Sequence, residues 1–313
     1  MEMDVQSYLI GHLGIVAGTF DELNTADVID RFLPKRGSQN LPHSVIIKAM
    51  ILNGLGYTGQ RLYLFPNFFK TIPTEKLLGK GICPTDLNDD VVGRTLDAIY
   101  KYGATELFNE ISLHIMKQFS FGPQLLHVDT TNFGVYGKYE NDAPDSADSI
   151  KITFGHAKDG RMDLKRFVLG MVTNQFGLPL FTEAYSGNKS DKKSLMEMIQ
   201  KTQQAIDFDD DDYFWVADSA LYTEENIKLM GTETKWITHM PATVAEAQEL
   251  LNSDLNMIPG SDPRYAFYAT DINYGGVPQR AEKKKKKEMN ERNEKTFERK
   301  IERETIEAEK KKK

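Results

Sequence analysis

The sequence predicts an α/β core with a mixed sheet, preceded by an all-α segment and followed by a charged tail. Three observations carry that reading. Apolar residues recur at helical spacing through residues 1–120. From residue 121 the pattern switches to short bulky apolar runs alternating with helical stripes. From Ala281 to Lys313, 23 of 33 residues are charged, with 14 Lys and Arg against 9 Asp and Glu.

The helical segment reads element by element. Asn24 or Thr25 can cap a helix that runs through Phe32 and is ended by Pro34. His43 to Leu55 carries Val45, Ile46, Ala49, Met50 and Leu52 on one stripe, closed by Gly54 and Gly56. Thr74 starts a short helix closed near Gly79, and Pro84-Thr85-Asp86 opens another with Val91, Val92, Leu96 and Ile99 inward. Gly103 breaks it, and Thr105 to Phe119 forms the next. A helix-turn-helix could lie within residues 44–70, but no basic recognition face accompanies it, so the stripes read as core.

The α/β segment begins with a strand at Leu125–Asp129, extended toward Tyr136. A polar loop, Lys138 to Ser149, leads to a hairpin: Arg166–Thr173, the turn Asn174-Gln-Phe-Gly177, and Leu178–Tyr185. Ser190 caps a helix with Leu195, Ile199, Thr202 and Ile206 on one face. After an acidic loop, Asp207 to Asp212, come a strand at Phe214–Ala217, a helix from Thr223, a strand at Trp236-Ile-Thr and a helix from Thr243 to Leu251. The order β–β–β–α–β–α–β–α, a hairpin followed by crossovers, is the RNase H-like layout. The expected domains are therefore a helical domain at 1–120, the core at 121–252, the start of a β-rich insertion at 253–280, and a low-complexity tail at 281–313. In the insertion, Tyr265–Thr270 reads as one strand; the tail reads as a solvated charged helix or a disordered segment.

Two of the apolar runs end on an aspartate: Gln124-Leu-Leu-His-Val-Asp129 and Tyr213-Phe-Trp-Val-Ala-Asp218. A core strand has no reason to end on a carboxylate, since burying one unpaired costs on the order of 2–7 kcal/mol or more. Two such carboxylates on neighbouring strands make a site for divalent cations, as in metal-dependent phosphoryl transfer.

Composition narrows the classes. The 313 residues are 40% hydrophobic, enough for about two domains. Cys83 is the only cysteine, which rules out an internal disulfide and a cysteine zinc cluster and fits a reducing cytoplasm; its plain reading is a small buried hydrophobe. No apolar run reaches the roughly 18 residues of a membrane span; Lys48 interrupts the best one. The start Met1-Glu2-Met3-Asp4 lacks the positive charge of a signal peptide. The net charge of −7 excludes simple polycationic binding of nucleic acid and leaves local patches or metal-offset carboxylates.

The chain resembles insertion-sequence transposases with an Asp-Asp-Glu triad, over about Ile10 to Arg280. The words that carry the resemblance are His127-Val-Asp129-Thr-Thr, Gly155-His-Ala-Lys-Asp-Gly-Arg-Met-Asp-Leu164, Gly187-Asn-Lys-Ser-Asp191, Val216-Ala-Asp218-Ser-Ala and Trp236-Ile-Thr-His-Met-Pro241, in that order. It implies a helical N-terminal domain, an RNase H-like nuclease core and a β-rich insertion before the third acid. It makes Asp129 and Asp218 the first two catalytic acids and ligands of Mg²⁺ or Mn²⁺. It implies double-stranded DNA at transposon ends as partner, a homodimer on DNA, no membrane, and a prokaryotic, nucleoid-associated location in the cytoplasm.

Two departures stand out. Gly160 and Met162 replace the family's usual His and Pro. The family's third acid lies in Tyr-x2-Arg-x3-Glu-x6-Lys, and none of the thirteen tyrosines here has Arg three positions later. Glu298, Glu302 and Glu304 lack a sheet-packing apolar face, so the chain reads as the front part of a longer transposase. Around the two aspartates, His127 shares a strand face with Asp129 and is either a phosphate contact or a packing residue. Asp159, Arg161 and Asp163 are DNA contacts or a salt-bridged loop. Lys165, Arg166, Lys192 and Lys193 are phosphate contacts or solvated surface. Asp209 to Asp212 reads as a solvated loop. The alternatives to a transposase are an inactive remnant that only binds DNA or oligomerises, and a helical protein-interaction module with no nucleic-acid role.

Overall fold

A computed structural model describes residues 7–8, 10–37, 39–56, 61–120, 122–139, 150–157, 160–206 and 213–286. The chain forms two compact units, Met1–Tyr213 and Phe214–Lys313.

In the first unit every described element before residue 120 is helical: α1 (Leu13–Glu22), α2 (Thr25–Phe32), α3 (His43–Leu55), α4 (Phe65–Lys70), α5 (Thr74–Leu78), α6 (Asp89–Tyr102) and α7 (Ala104–Phe119). Single 3₁₀ turns occupy Leu62–Leu64 and Pro84–Asp86, so the helix expected from Pro84 starts later, where Asn88 accepts the Val91 N–H. The start of α3 is capped from α2: the Asp30 carboxylate accepts the Ser44 N–H at 3.1 Å and its hydroxyl at 2.6 Å. The α3 stripe is core, with Ile46, Ala49 and Leu52 packed on Leu13 and Ala17 of α1 and on Phe65 and Phe69 of α4. Both helices of the suspected helix-turn-helix therefore spend their apolar faces internally. Lys48, which breaks the apolar run in sequence, is buried on α3 and donates to both oxygens of Asp21, at 2.7 and 2.8 Å. Gly103 separates α6 from α7 at φ 111°, a conformation glycine adopts without strain.

The strands of this unit are β1 (Leu125–Val135), β2 (Lys165–Asn174) and β3 (Pro179–Ser186), antiparallel in the order β3-β2-β1, followed by α8 (Asp191–Ala205). The β2–β3 turn is held by Asn174, whose side-chain oxygen accepts the N–H groups of Phe176 and Leu178, both at 3.0 Å. Alternation sets the two faces. Val128, Thr130, Gly170 and Val172 share one face, over which α8 lies. A Cβ on Gly170 would meet the Met198 sulfur of α8 at 2.1 Å. His127, Asp129 and Thr131 occupy the other face.

The second unit holds β4 (Phe214–Ala217), α9 (Glu224–Met230), β5 (Trp236–Thr238), α10 (Ala245–Asn252), β6 (Ile258–Pro259), β7 (Tyr265–Tyr274) and β8 (Val277–Lys286). β4 and β5 pair in parallel, Trp215 opposite Trp236, and Trp215 is fully buried. Thr223 caps α9 as expected, accepting the Asn226 N–H, whereas α10 begins at Ala245, after Val244 rather than at Thr243. β7 and β8 form a hairpin across Gly275-Gly276, both at positive φ, 63° and 81°.

That hairpin corrects the expected start of the tail. Residues 281–286 are strand, paired with Tyr265–Thr270. The two-glycine turn sets the register, and the lysines find local partners. The Lys284 ammonium sits 3.9 Å from the Tyr265 ring centroid. Lys283 donates to the Leu250 and Leu251 carbonyls at the end of α10, at 2.8 and 3.1 Å. The rest of the expected tail, 287–313, lies outside the described residues, as do Asp159, the loop at 140–149 and Asp207 to Asp212.

Candidate functional site

Asp129 lies midway along β1 on the face opposite α8, between His127 and Thr131 and across from Met171. It is exposed, which corrects the expectation of a buried carboxylate. Leu126, Val128 and Thr130 take the inward positions, and period-two alternation sends Asp129 outward, so its charge stays hydrated. Its Oδ1 accepts the Thr130 N–H at 2.7 Å. Thr130 itself turns inward and its hydroxyl donates to Asp191 Oδ1 at 2.9 Å, tying β1 to the first turn of α8.

Asp218 follows β4 directly and is also exposed. Its Oδ1 accepts the Ala220 N–H at 2.9 Å, closing an Asx turn that carries the chain away from the strand. Its backbone carbonyl accepts the Thr238 hydroxyl of β5 at 2.6 Å. Among the described residues neither aspartate is ion-paired, and each keeps Oδ2 out of any hydrogen bond. Two hard carboxylate oxygens of this kind suit Mg²⁺ or Mn²⁺. Among the described residues, no three His, Cys, Asp or Glu side chains gather into a metal-binding group.

The basic residues divide sharply. Arg166 is buried, and its guanidinium donates to the carbonyls of Arg161 at 2.5 Å and of His156 and Leu164 at 3.4 Å. It holds the segment before β2 in place and has no surface to offer a phosphate, which corrects its candidacy. Arg161 makes a two-pronged pair with Asp163, at 2.8 and 2.7 Å, and lies against the Tyr136 ring. The hydrogen bonds from Arg161 hold the Asp163 carboxyl down at about 2, and the same pairing pushes Arg161 up. The salt-bridged loop is thus what the structure contains for these two. The Lys165 ammonium donates to the carbonyls of Lys138 and Tyr139. His127, Lys192 and Lys193 are exposed, the two lysines on the first turn of α8. Cys83 is exposed, not buried: its N–H donates to Asp86 in a 3₁₀ turn at the surface.

Two features escape a reading by motif. Gly155 and Gly187, from separate motif segments, meet backbone to backbone; a Cβ on Gly155 would lie 1.8 Å from the Gly187 carbonyl oxygen. Spacing in the sequence gives no sign of that contact. The second is a charged chain that links β3, α8 and the segment between them. Lys201 pairs with Glu183 at 2.5 Å and with Glu197 at 3.1 Å, and Glu197 also holds Lys189 at 2.5 Å. The i,i+4 spacing of Glu197 and Lys201 is the signal that could have revealed part of it.

Comparison with known proteins adds the following. Residues 5–113 match a family described as a domain of unknown function, DUF4277. No curated protein matches the chain. Among solved structures, the chain is similar to the Mos1 transposase paired-end complex with left transposon end, at 11% identity, 65% of this chain, 60% of that chain and a TM-score of 0.24. It is similar to the Mos1 mariner paired end complex with Mn at 11% identity, 71% of this chain, 67% of that chain and a TM-score of 0.24. For the Mos1 strand transfer complex the values are 13%, 66%, 60% and 0.23.

Proposed function

We propose that this chain is a DNA transposase of the Asp-Asp-Glu type, with Asp129 and Asp218 as its first two catalytic acids. The observation that carries the reading is the order of elements β1, β2, β3, α8, β4, α9, β5, α10. In that order one motif aspartate falls on the first strand and the other at the end of the fourth, as an RNase H-like nuclease requires. Both are exposed and, among the described residues, neither is ion-paired, so neither is committed to holding the fold together.

Asp129 and Asp218 would hold Mg²⁺ or Mn²⁺. When bound, the metal supplies Lewis-acid stabilisation of charge on the scissile phosphate and a nucleophile at neutral pH. The chain's own part is orientation. The Thr130 N–H fixes one oxygen of Asp129 and the Ala220 N–H one oxygen of Asp218, which leaves the second oxygen of each for a ligand. His127 is within the same strand face as Asp129, and Lys193, exposed on the first turn of α8, is placed to meet a DNA phosphate. The Tyr-x2-Arg-x3-Glu-x6-Lys pattern does not occur in the 313 residues. In-line displacement depends on ligands that position the metal, so this chain alone binds transposon ends without cutting them.

The test is a gel shift and a cleavage assay with inverted-repeat DNA and Mg²⁺ or Mn²⁺. Retardation of the DNA without nicking is expected. Absence of any shift overturns the nucleic-acid reading and favours a helical interaction module. Nicking that disappears in Asp218→Ala shows the third acid to be present after all.

A further inference from the structure

The helical part of the first unit contains a pocket of about 750 Å³, remote in sequence from both aspartates, walled by α6, the start of α3 and the segment after α2. Its volume lies within the range of small-molecule sites. Three cations line it, Arg36, Arg94 and Lys101, and among the described residues none of the three is ion-paired. Two acids also line it. The Asp86 carboxylate is engaged by the Cys83 N–H at 2.8 Å, and Asp97 stands on α6 between Arg94 and Lys101. The balance of these side chains is positive, in a chain whose net charge is −7.

His43 supplies the polar group that specifies a ligand. It lines the pocket although only 4% exposed. Its Nδ1 lies 3.0 Å from the Thr95 hydroxyl, and that hydroxyl has the Val91 carbonyl at 3.1 Å to donate to. A hydroxyl has one hydrogen, so Thr95 gives it to Val91 and accepts from His43. The imidazole is then the Nδ1–H tautomer, with Nε2 a bare acceptor that no described residue satisfies. Burial pushes the ring below the usual histidine range, with Asp30 opposing and Arg36 reinforcing, so it stays neutral. A ligand N–H would supply the donor that this acceptor lacks among the described residues. The Phe32 and Tyr102 rings, 5.6 Å apart and both lining the pocket, give a planar group an aromatic wall.

We propose that this pocket binds a nucleotide whose base carries an amino group: the amino donor meets His43 Nε2, the base lies along Phe32 and Tyr102, and the phosphate meets Arg36, Arg94 and Lys101. The proposal does not rest on the transposase reading, and its failure leaves Asp129 and Asp218 untouched. The nucleotide could arrive free or as part of a single strand.

The experiment is calorimetric titration of the full chain with AMP, IMP, adenosine and an oligoadenylate strand. IMP replaces the amino donor of AMP with an oxygen, and adenosine lacks the phosphate. AMP is expected to bind saturably, at least tenfold tighter than either. A double variant, Arg94→Ala with Lys101→Ala, both exposed on α6, should melt like the wild type and bind AMP at least tenfold more weakly. Displacement of AMP by the oligoadenylate supports the site with a strand as its source; no displacement supports it with the free nucleotide. No AMP binding at millimolar concentration, equal affinity for AMP and IMP, or full affinity in the double variant each overturns the proposal.

Discussion

Replacing Asp129 by Asn separates a ligand from a structural residue, because the two roles predict opposite results with and without metal. Asp129 is exposed, and among the described residues its side chain has one hydrogen bond, from the Thr130 N–H to Oδ1 at 2.7 Å. Asparagine keeps that oxygen and loses only the assistance of charge. A hydrogen bond to a charged group contributes about 1.5–3 kcal/mol and a neutral one about 0.5–1.5, so the metal-free cost is about 1 kcal/mol. At roughly 2–4 °C per kcal/mol for 150–250 residues, the melting point should fall by only a few degrees. Metal acts the other way. An ion at a hundred times its Kd stabilises the wild type by about 2.7 kcal/mol, or roughly 5–10 °C. The Asn variant should lose nearly all of that shift. Thermal melts followed by far-UV circular dichroism, with and without MnCl₂, give both numbers. A metal-free melt more than about 10 °C lower assigns Asp129 a structural role, and a metal shift of undiminished size removes it from the ligand set.

Three further outcomes test the framework around that site. Thr130→Val should cost about 1.5–3 kcal/mol by urea denaturation, since it removes the 2.9 Å hydroxyl bond that ties β1 to Asp191 of α8; no loss would mean that α8 is positioned by apolar packing alone. Gly155→Ala should destabilise by about 1–3 kcal/mol, because the new Cβ would lie 1.8 Å from the Gly187 carbonyl and backbone must move; unchanged stability would show that the two segments separate freely. Glu197 is pushed up by burial but pulled further down by hydrogen bonds from Lys189 and Lys201, so it ends below its ordinary 4.5. A depressed carboxylate contributes stability above its ordinary value and loses it as pH falls through the lowered one. Glu197→Gln should therefore flatten the acid limb of stability below about pH 4.5, and an unaltered limb measured by denaturation at stepped pH would refute the pairing.

Most of the element order was legible because periodicity encodes it. The α3 stripe shows in its helical spacing, and the Asn174–Gly177 turn and the Thr223 cap rest on contacts within a few residues, so local chemistry decides them. What escaped depends on partners distant in sequence. The Lys283–Lys286 run looks solvated in isolation, yet the Gly275-Gly276 turn folds it onto Tyr265 and Phe267. Arg166 looks like a surface cation, yet carbonyls up to ten residues upstream enclose its guanidinium. Lys48 looks like a break in a core helix, yet Asp21 of α1 neutralises it. Charge in a sequence marks a need for a partner and leaves open whether water or the fold supplies it.

The same distinction changes why the two aspartates matter. Their burial was expected to signal a metal, on the ground that a buried carboxylate needs one. Both are exposed, so that cost is not incurred in the metal-free protein. What remains is a difference between these two and most other acids that have side-chain partners among the described residues. Asp21, Asp163, Glu183, Glu197 and Asp262 are all held by a Lys or Arg side chain. Asp129 and Asp218 are held only by a neighbouring backbone N–H, which orients one oxygen and leaves the charge unspent. A ligand for a divalent ion must keep its charge until the ion arrives. A lysine or arginine beside it would compete for the same oxygens and weaken the metal by cancelling the field that attracts it. Orientation by backbone without neutralisation is therefore the condition under which an exposed carboxylate can serve a metal, and both motif aspartates meet it.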